Sequence, residues 1–146
     1  MKYIYFRDDG DDYWIEINND NVACRQLIKS KDGFHNSCLE DCLAEGPIVI
    51  QELPITAQFI KLNEFEEKWS ESLESYQVMW FSIKRKLKIG DEIVGVMKYI
   101  YPQGVIFKGI GNILYKGNTK VALNECKRMK IIGFDDINMW IIASDL

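Results

Sequence analysis

Short runs of aromatic and β-branched residues, separated by turn-forming clusters, most constrain what this chain can fold into. In the first half these runs cover residues 3–6, 13–17 and 22–29, with Asp, Asn and Gly between them. Runs of this composition between such clusters are typical of antiparallel hairpins. The first half is therefore predicted to form a β-meander. Residues 34–55 are expected to be irregular apart from a short strand at residues 48–50, because Gly and Pro interrupt them.

Two helices are predicted in the middle of the chain. Phe65, Trp69 and Leu73 recur every four residues, which places them on one face of a helix over residues 64–74. Asn63, with Glu66 three residues later, predicts a capping box at its start. A second helix is expected over residues 77–87, with basic residues at its C-terminal end. Its apolar stripe consists of Tyr76, Met79, Trp80, Ile83 and Leu87.

From residue 89 onward the chain returns to short strands with Gly at the bends. Strands are predicted at residues 93–101, 105–108, 113–115, 130–134 and 139–142. Short strands with glycine at the bends favour a small barrel of the oligonucleotide/oligosaccharide-binding (OB) type. The predicted fold class is α+β, with an N-terminal antiparallel β-meander and a helix, followed by this small five-stranded barrel.

The charge of the chain changes sign after Ser75. Residues 1–75 contain 7 Lys and Arg against 16 Asp and Glu, a net charge of −9. Residues 76–146 contain 11 against 6, a net charge of +5. Two modules with these bounds are predicted, each with its own electrostatic partners. An acidic surface attracts a basic protein or a cation, whereas a basic surface attracts phosphate or an acidic protein.

The second module carries the glycine spacing of a known barrel. Gly90-Asp91, Gly95 and Gly104, together with the segment 130–135, resemble the S1 type of RNA-binding barrel over residues 88–142. The resemblance implies an OB fold and a surface for RNA or single-stranded DNA. The candidate contacts are Lys84, Arg85, Lys86, Lys98, Tyr99, Tyr101, Phe107 and Tyr115.

Nucleic-acid binding is nevertheless the alternative function. Gln103 and Ile106 stand where that family has aromatic side chains on which bases stack, and each stacked base contributes about 1–3 kcal/mol. A set of basic residues of the second module could also have other roles: it could keep the barrel soluble or contact the acidic module, within the chain or in a dimer. This set consists of Lys84, Arg85, Lys86, Lys88, Lys127, Arg128 and Lys130.

The first module resembles a different family. Residues 13–17, the Arg25-Gln26 pair, residues 43–45 and residues 63–69 are similar to those of small bacterial proteins that accompany polymorphic toxins as immunity proteins. The resemblance covers residues 1–74 and implies a protein that binds a toxin domain, in many cases a nuclease, and blocks its active site. An acidic surface would speed that association. The expected toxin contacts are Asp8, Asp9, Asp11, Asp12, Glu16 and Asp20.

No catalytic or metal-binding motif accompanies these modules. His35 is the only histidine, so a catalytic Cys–His pair would have to combine it with Cys38, and Asp41 would orient it. These three residues lie close together in the sequence, whereas such catalytic groups usually come from distant segments, so a histidine in a turn is favoured. Cys24, His35, Cys38 and Cys42 could supply zinc ligands, but they lack paired Cys-x2-Cys spacing and ordinary thiols are favoured. The aspartates around residue 10 fit a solvated turn better than a calcium loop. No enzyme activity, metal or cofactor is expected.

The sequence also predicts where the chain resides. No apolar run reaches the roughly 18 to 20 residues that span a bilayer. Residues 1–9 are too short and too acidic for a signal peptide. The expectation is a cytoplasmic protein with free cysteines and no membrane partner, either a monomer or a homodimer.

Overall fold

The computed structural model describes residues 1–146 and divides into two compact units, Met1–Ser75 and Tyr76–Leu146. The division falls where the charge of the chain changes sign. The first unit is an antiparallel sheet with a helix, and the second contains a closed five-stranded barrel. The predicted α+β class is confirmed. No helix in the structure has the length and apolar character needed to cross a membrane.

The sheet of the first unit has five strands. They are β1 (Lys2–Asp8), β2 (Asp11–Ile17), β3 (Ala23–Ser30), β4 (Gly33–Asn36) and β5 (Gln58–Ile60). Their spatial order is β4-β3-β2-β1-β5, and all neighbours are antiparallel. Asp9 and Gly10, with φ of 49° and 84°, turn the chain between β1 and β2. The sequence predicts a hairpin at this cluster, and the structure closes it with a two-residue Asp-Gly turn.

The predicted strand at residues 48–50 is wrong. Val49 precedes a 3-10 turn, Ile50–Glu52, and only Pro47 forms an isolated bridge, with Val22. Ile50 and Leu53 line a small apolar cavity with Ile4 of β1. The apolar residues of this segment therefore cover one face of the sheet without extending it, while the unpredicted β4 and β5 form its two edges.

α1 (Leu62–Leu73) covers the other face of the sheet and buries Phe65, Trp69 and Leu73, as the four-residue spacing predicts. Tyr3 of β1 contacts Phe65, with the ring centroids 5.1 Å apart. The predicted capping box is wrong, because the cap residue is Lys61 and no side chain caps the helix. Asn63 already lies within the first turn, two residues too late to act as the cap.

α2 (Gln77–Lys86) begins the second unit and is followed by the barrel strands. They are β6 (Glu92–Tyr101), β7 (Gly104–Lys108), β8 (Asn112–Tyr115), β9 (Cys126–Asp135) and β10 (Trp140–Ser144). The barrel closes in the order β10-β8-β7-β6-β9, with β8 and β10 parallel and the other pairs antiparallel. The predicted strands are present, and β9 begins four residues earlier than expected.

The barrel interior is tight around Gly95. A Cβ atom at Gly95 would lie 3.0 Å from side-chain atoms of Ile113 and Phe107 and 3.3 Å from Met129. All three of those side chains are fully buried. A residue without a side chain therefore lets β6 pass close to the packed interior.

α2 packs against the barrel through Trp80 and Ile83, which are both buried. The Trp80 indole donates a hydrogen bond to Asp136 over 2.9 Å, and Lys84 forms a 2.6 Å ion pair with the same carboxylate. Met79 does not belong to the buried stripe, because its side chain is 55% exposed. At 100° per residue Met79 lies about 40° from Ile83 but on the side away from Trp80, at the margin of the buried stripe.

Candidate functional site

The predicted toxin contacts do not form one surface. Asp8, Asp9 and Asp11 lie at the tip of the β1–β2 hairpin, where Asp8 and Asp9 are exposed and Asp11 is half-buried. Asp20 is exposed but lies in the β2–β3 connection, at the other end of β2. A seven-residue strand separates the two ends by about 20 Å. One partner surface centred on the tip would therefore not include Asp20.

Asp12 has partners for its charge within the chain, whereas the aspartates at the hairpin tip do not. The Asp12 carboxylate accepts a hydrogen bond from the Tyr5 hydroxyl over 2.6 Å and pairs with Arg7 over 3.2 Å. This hydrogen bond, more than burial, raises the pKa of Tyr5. Asp8 and Asp9 make no ion pair and present their charge to solvent. The tip is thus the solvated turn that the sequence predicts, and its free charge belongs to Asp8, Asp9 and Asp11.

Glu16 is not a surface contact, since only 6% of the residue is exposed. Its carboxylate accepts hydrogen bonds from the Arg25 guanidinium, over 3.0 Å from Nε and 2.7 Å from the terminal nitrogen. Arg25 also pairs with Glu66 of α1 over 2.5 Å. Its charge lies 4.9 Å from the ring centroids of both Phe65 and Trp69. The prediction that Glu16 faces a toxin is corrected: it anchors α1 to the sheet.

The electrostatics of Arg25 support this anchoring role. Burial alone would lower the pKa of Arg25, but the hydrogen bonds to Glu16 and Glu66 outweigh it and raise the pKa overall. The neighbouring Gln26 accepts a hydrogen bond from the Ala44 amide over 2.8 Å. The four segments behind the immunity-family resemblance are therefore joined by direct contacts. These contacts stabilise the fold of the first unit, so a binding surface must be formed by other residues.

The outward face of α1 carries the most regular acidic surface of the first unit. Four glutamates spaced three, four and three residues apart continue along this face into the 3-10 turn that follows the helix. We call this set the acidic ridge: Glu64, Glu67, Glu71 and Glu74. Glu64, Glu67 and Glu74 are exposed and make no ion pair, whereas Glu71 pairs with Lys68 over 3.1 Å.

A groove opens at the C-terminal end of the acidic ridge. It is lined by Phe34, Glu71, Ser72, Glu74 and Ser75. The Lys29 ammonium lies 5.3 Å from the centroid of the Phe34 ring, so this ring already attracts a cation. Sequence reasoning missed the ridge, although its spacing was visible on the helix face opposite the apolar stripe.

Most aromatic candidates for nucleic-acid binding are buried. Phe107 is fully buried, Tyr115 is 3% exposed and Tyr101 is 6% exposed, so none of them offers a ring face to a base. The Tyr115 hydroxyl donates a 2.6 Å hydrogen bond to Asp145. These three assignments are corrected: the side chains help to build the second unit. Ile106, which the S1 resemblance predicts to occupy a stacking position, is also fully buried.

The remaining nucleic-acid candidates differ in exposure. Arg85, Lys86 and Lys98 are exposed, Tyr99 is half-buried, and Lys84 is held by Asp136. Lys98 donates a hydrogen bond to the Asn124 side chain over 3.2 Å. The exposed basic side chains of the second unit thus include Arg85 and Lys86 at the C-terminal end of α2.

The histidine and the cysteines do not assemble into a reactive site. His35 contacts the carboxylate of Glu40 over 2.8 Å, and Cys38 is fully buried. Burial, together with nearby Glu40 and Asp41, raises the pKa of the Cys42 thiol to about 12, which disfavours the reactive thiolate. No group of three or more His, Cys, Asp or Glu residues is placed to hold a metal ion.

Comparison with protein-family models and with curated proteins finds no match for this chain.

Proposed function

We propose that this chain is a non-enzymatic immunity-type protein whose acidic first unit binds a basic toxin domain and covers its active site. The observation that carries the proposal is the acidic ridge. It places four carboxylates along one side of α1 and the 3-10 turn that follows, and Glu64, Glu67 and Glu74 make no ion pair within the chain. A row of unpaired exposed charge on a regular helix complements a basic surface and speeds its diffusional encounter.

The groove beside the ridge adds a second kind of contact. A lysine or arginine of the partner that enters it meets the unpaired carboxylate of Glu74 and can compete with Lys68 for Glu71 and with Lys29 for the ring of Phe34. A cation over an aromatic ring gains about 0.5–1 kcal/mol at an exposed site and more when it is desolvated. Many nuclease active sites are basic clefts, and a cationic side chain from such a cleft matches this lining. The resemblance of residues 1–74 to immunity proteins supports the same function.

The test is co-expression with the toxin domain encoded beside this chain, followed by measurement of cell survival and of the association rate of the purified pair. We expect protection and a stable complex. Glu64→Lys, Glu67→Lys and Glu74→Lys combined are expected to lower the association rate about 10- to 100-fold, because a steered encounter loses its long-range attraction. Asp41→Lys, Glu45→Lys and Glu52→Lys combined are the matched control, since these three residues are exposed, lie outside the ridge and change the net charge equally.

Two results would count against this function. If the wild-type chain neither protects cells nor forms a complex, the immunity role is wrong. If the ridge variant binds as fast as the control variant, the ridge is not the contact. An Asp8→Lys, Asp9→Lys variant then asks whether the hairpin tip is the contact instead, because both aspartates are exposed there.

Nucleic-acid binding by the second unit is the second candidate. The exposed, unpaired cations Arg85 and Lys86, beside a closed barrel, favour it. The burial of three candidate aromatics weakens it, because stacking supplies much of the affinity for single strands. It predicts binding of single-stranded RNA that weakens with added salt and disappears in Arg85→Glu, Lys86→Glu. No binding at low salt would eliminate it.

A further inference from the structure

The outward face of α2 combines apolar and basic side chains. Val78 is 80% exposed, and Met79 and Phe81 are each 55% exposed. Val78, Phe81 and Arg85 share one side of the helix because they are three and four residues apart, and this side lies opposite the buried Trp80 and Ile83. We call this set the outer face of α2: Val78, Met79, Phe81, Arg85 and Lys86.

The composition of this face fits a protein occupant. Met, Phe and Arg are enriched at protein–protein interfaces, and aliphatic side chains add apolar area that is removed from water on binding. Single-stranded nucleic acids gain much of their affinity from bases stacked on aromatic rings, and this face has only one such ring, Phe81. Arg85 and Lys86 make no ion pair, whereas the neighbouring Lys84 is paired with Asp136. The occupant is therefore a protein surface with acidic side chains.

The same chain contains such a surface. The acidic ridge of α1 presents exposed glutamates, and Leu62 at the N-terminal end of that helix is 53% exposed. The two units carry net charges of −9 and +5. We propose that the outer face of α2 docks against the acidic ridge of a second copy of this chain. Arg85 and Lys86 then face glutamates of the other copy, and Val78, Met79 and Phe81 leave water.

This proposal goes beyond the proposed function, although both use the ridge. A ridge occupied by another copy is not available to a toxin, so self-association and toxin binding exclude each other at any one ridge. The outer face of α2 of one copy would then compete with a toxin for the acidic ridge of the other copy. The competitor is displaced when a partner of higher affinity arrives.

Sedimentation velocity of the full chain over a range of concentrations tests the proposal. At about 0.05 M salt we expect the mean mass to rise with concentration. At about 1 M salt, where the Debye length is ~3 Å, we expect association to be at least about tenfold weaker. Arg85→Glu with Lys86→Glu should remain monomeric where the wild type associates, and so should Glu64→Lys with Glu67→Lys. A mixture of these two variants should associate again, because the reversed charges are complementary.

Matched controls keep the result specific. Lys120→Glu with Lys130→Glu changes the charge of the second unit equally at exposed positions outside α2 and should associate like the wild type. Circular dichroism of each variant checks that it is folded. Phe81→Ser removes apolar area without changing charge and should weaken association at both salt concentrations.

Three outcomes would overturn the proposal. The wild-type chain is monomeric at every concentration, the mixture of charge-reversed variants fails to associate, or the Lys120 and Lys130 control loses association as well. A monomeric wild-type chain that binds single-stranded RNA or phosphatidylserine vesicles through Arg85 and Lys86 would assign the face to that ligand. A wild-type chain that self-associates but does not protect cells from the toxin would contradict the proposed function alone, so the two failures are distinguishable.

Discussion

Arg25 shows how one residue can decide the architecture of a unit. Its guanidinium is buried between two carboxylates, Glu16 on β2 and Glu66 on α1, and lies against two aromatic rings. A planar group with donors on several nitrogens can satisfy both carboxylates at once, which lysine cannot do in the same geometry. The position of α1 on the sheet depends on this contact as well as on the apolar stripe.

Replacing Arg25 by methionine should strongly destabilise the first unit. The substitution leaves Glu16 buried without its counter-charge, and breaking a buried pair in this way costs about 3–5 kcal/mol. Urea unfolding monitored by hydrogen exchange of the amides of β1 to β3, which belong to the first unit alone, measures the loss. Arg7→Met is the matched control, since Arg7 is exposed and its pair with Asp12 should contribute about 0–1 kcal/mol. Equal losses in the two variants would show that Arg25 has no special structural role.

Asp145 gives the second unit a defined dependence on pH. Hydrogen bonds from Tyr115 and then Lys127 lower the pKa of Asp145 from 3.8 to about 2. Because the folded chain holds the carboxylate charged, this stabilisation is fully present above pH ~4 and is lost as the pH falls through about 2. Asp145→Asn should therefore lower the thermal midpoint at pH 7, and its difference from the wild type should shrink between pH 4 and pH 2. A difference that stays constant over this range would contradict the assignment.

At the scale of elements, periodicity and turn chemistry carried most of the prediction. The four-residue spacing of Phe65, Trp69 and Leu73 identified the buried side of α1, and the Asp-Gly pair identified the first hairpin. β4 and β5 were missed because they are edge strands of four and three residues. Such short strands are defined by the neighbour they pair with, and their own composition gives little signal.

The N-terminus of α1 shows where a local motif misleads. The sequence pattern favoured Asn63 as the cap, but Lys61 occupies that position with an extended backbone, φ −83° and ψ 156°. A lysine there offers no acceptor to the first amides and places positive charge near the positive end of the helix dipole. Lys61→Asp should therefore stabilise the first unit by about 1 kcal/mol, measured as a higher urea midpoint. Asn63→Ala is the control and should have little effect; a loss near 1 kcal/mol in that variant would restore Asn63 as the cap.

At the scale of the whole molecule, the change of charge sign coincides with the boundary between the two units, whereas the sequence did not place the functional side chains. The residues that carry the immunity-family resemblance proved to be structural, and the predicted acidic contacts were divided among a tip, a buried pair and a distant turn. Sequence alone could not show which acidic residues are buried or paired, because their partners lie far along the chain. Glu66, for example, pairs with Arg25 of β3. The ridge emerges only when the charges and the helix face are considered together.

The division into two units also predicts how the chain opens. Each unit has its own buried residues and its own network of contacts within Met1–Ser75 or Tyr76–Leu146. Native-state hydrogen exchange of Arg25→Met should therefore show faster exchange in the amides of β1 to β3, since local stability follows the contacts that each unit retains. The amides of β6, β7 and β9 should keep their wild-type protection. If exchange of those barrel amides becomes faster by the same factor, the two units unfold as one cooperative body. The change of charge sign then describes the surface of the chain and does not mark a boundary in its folding.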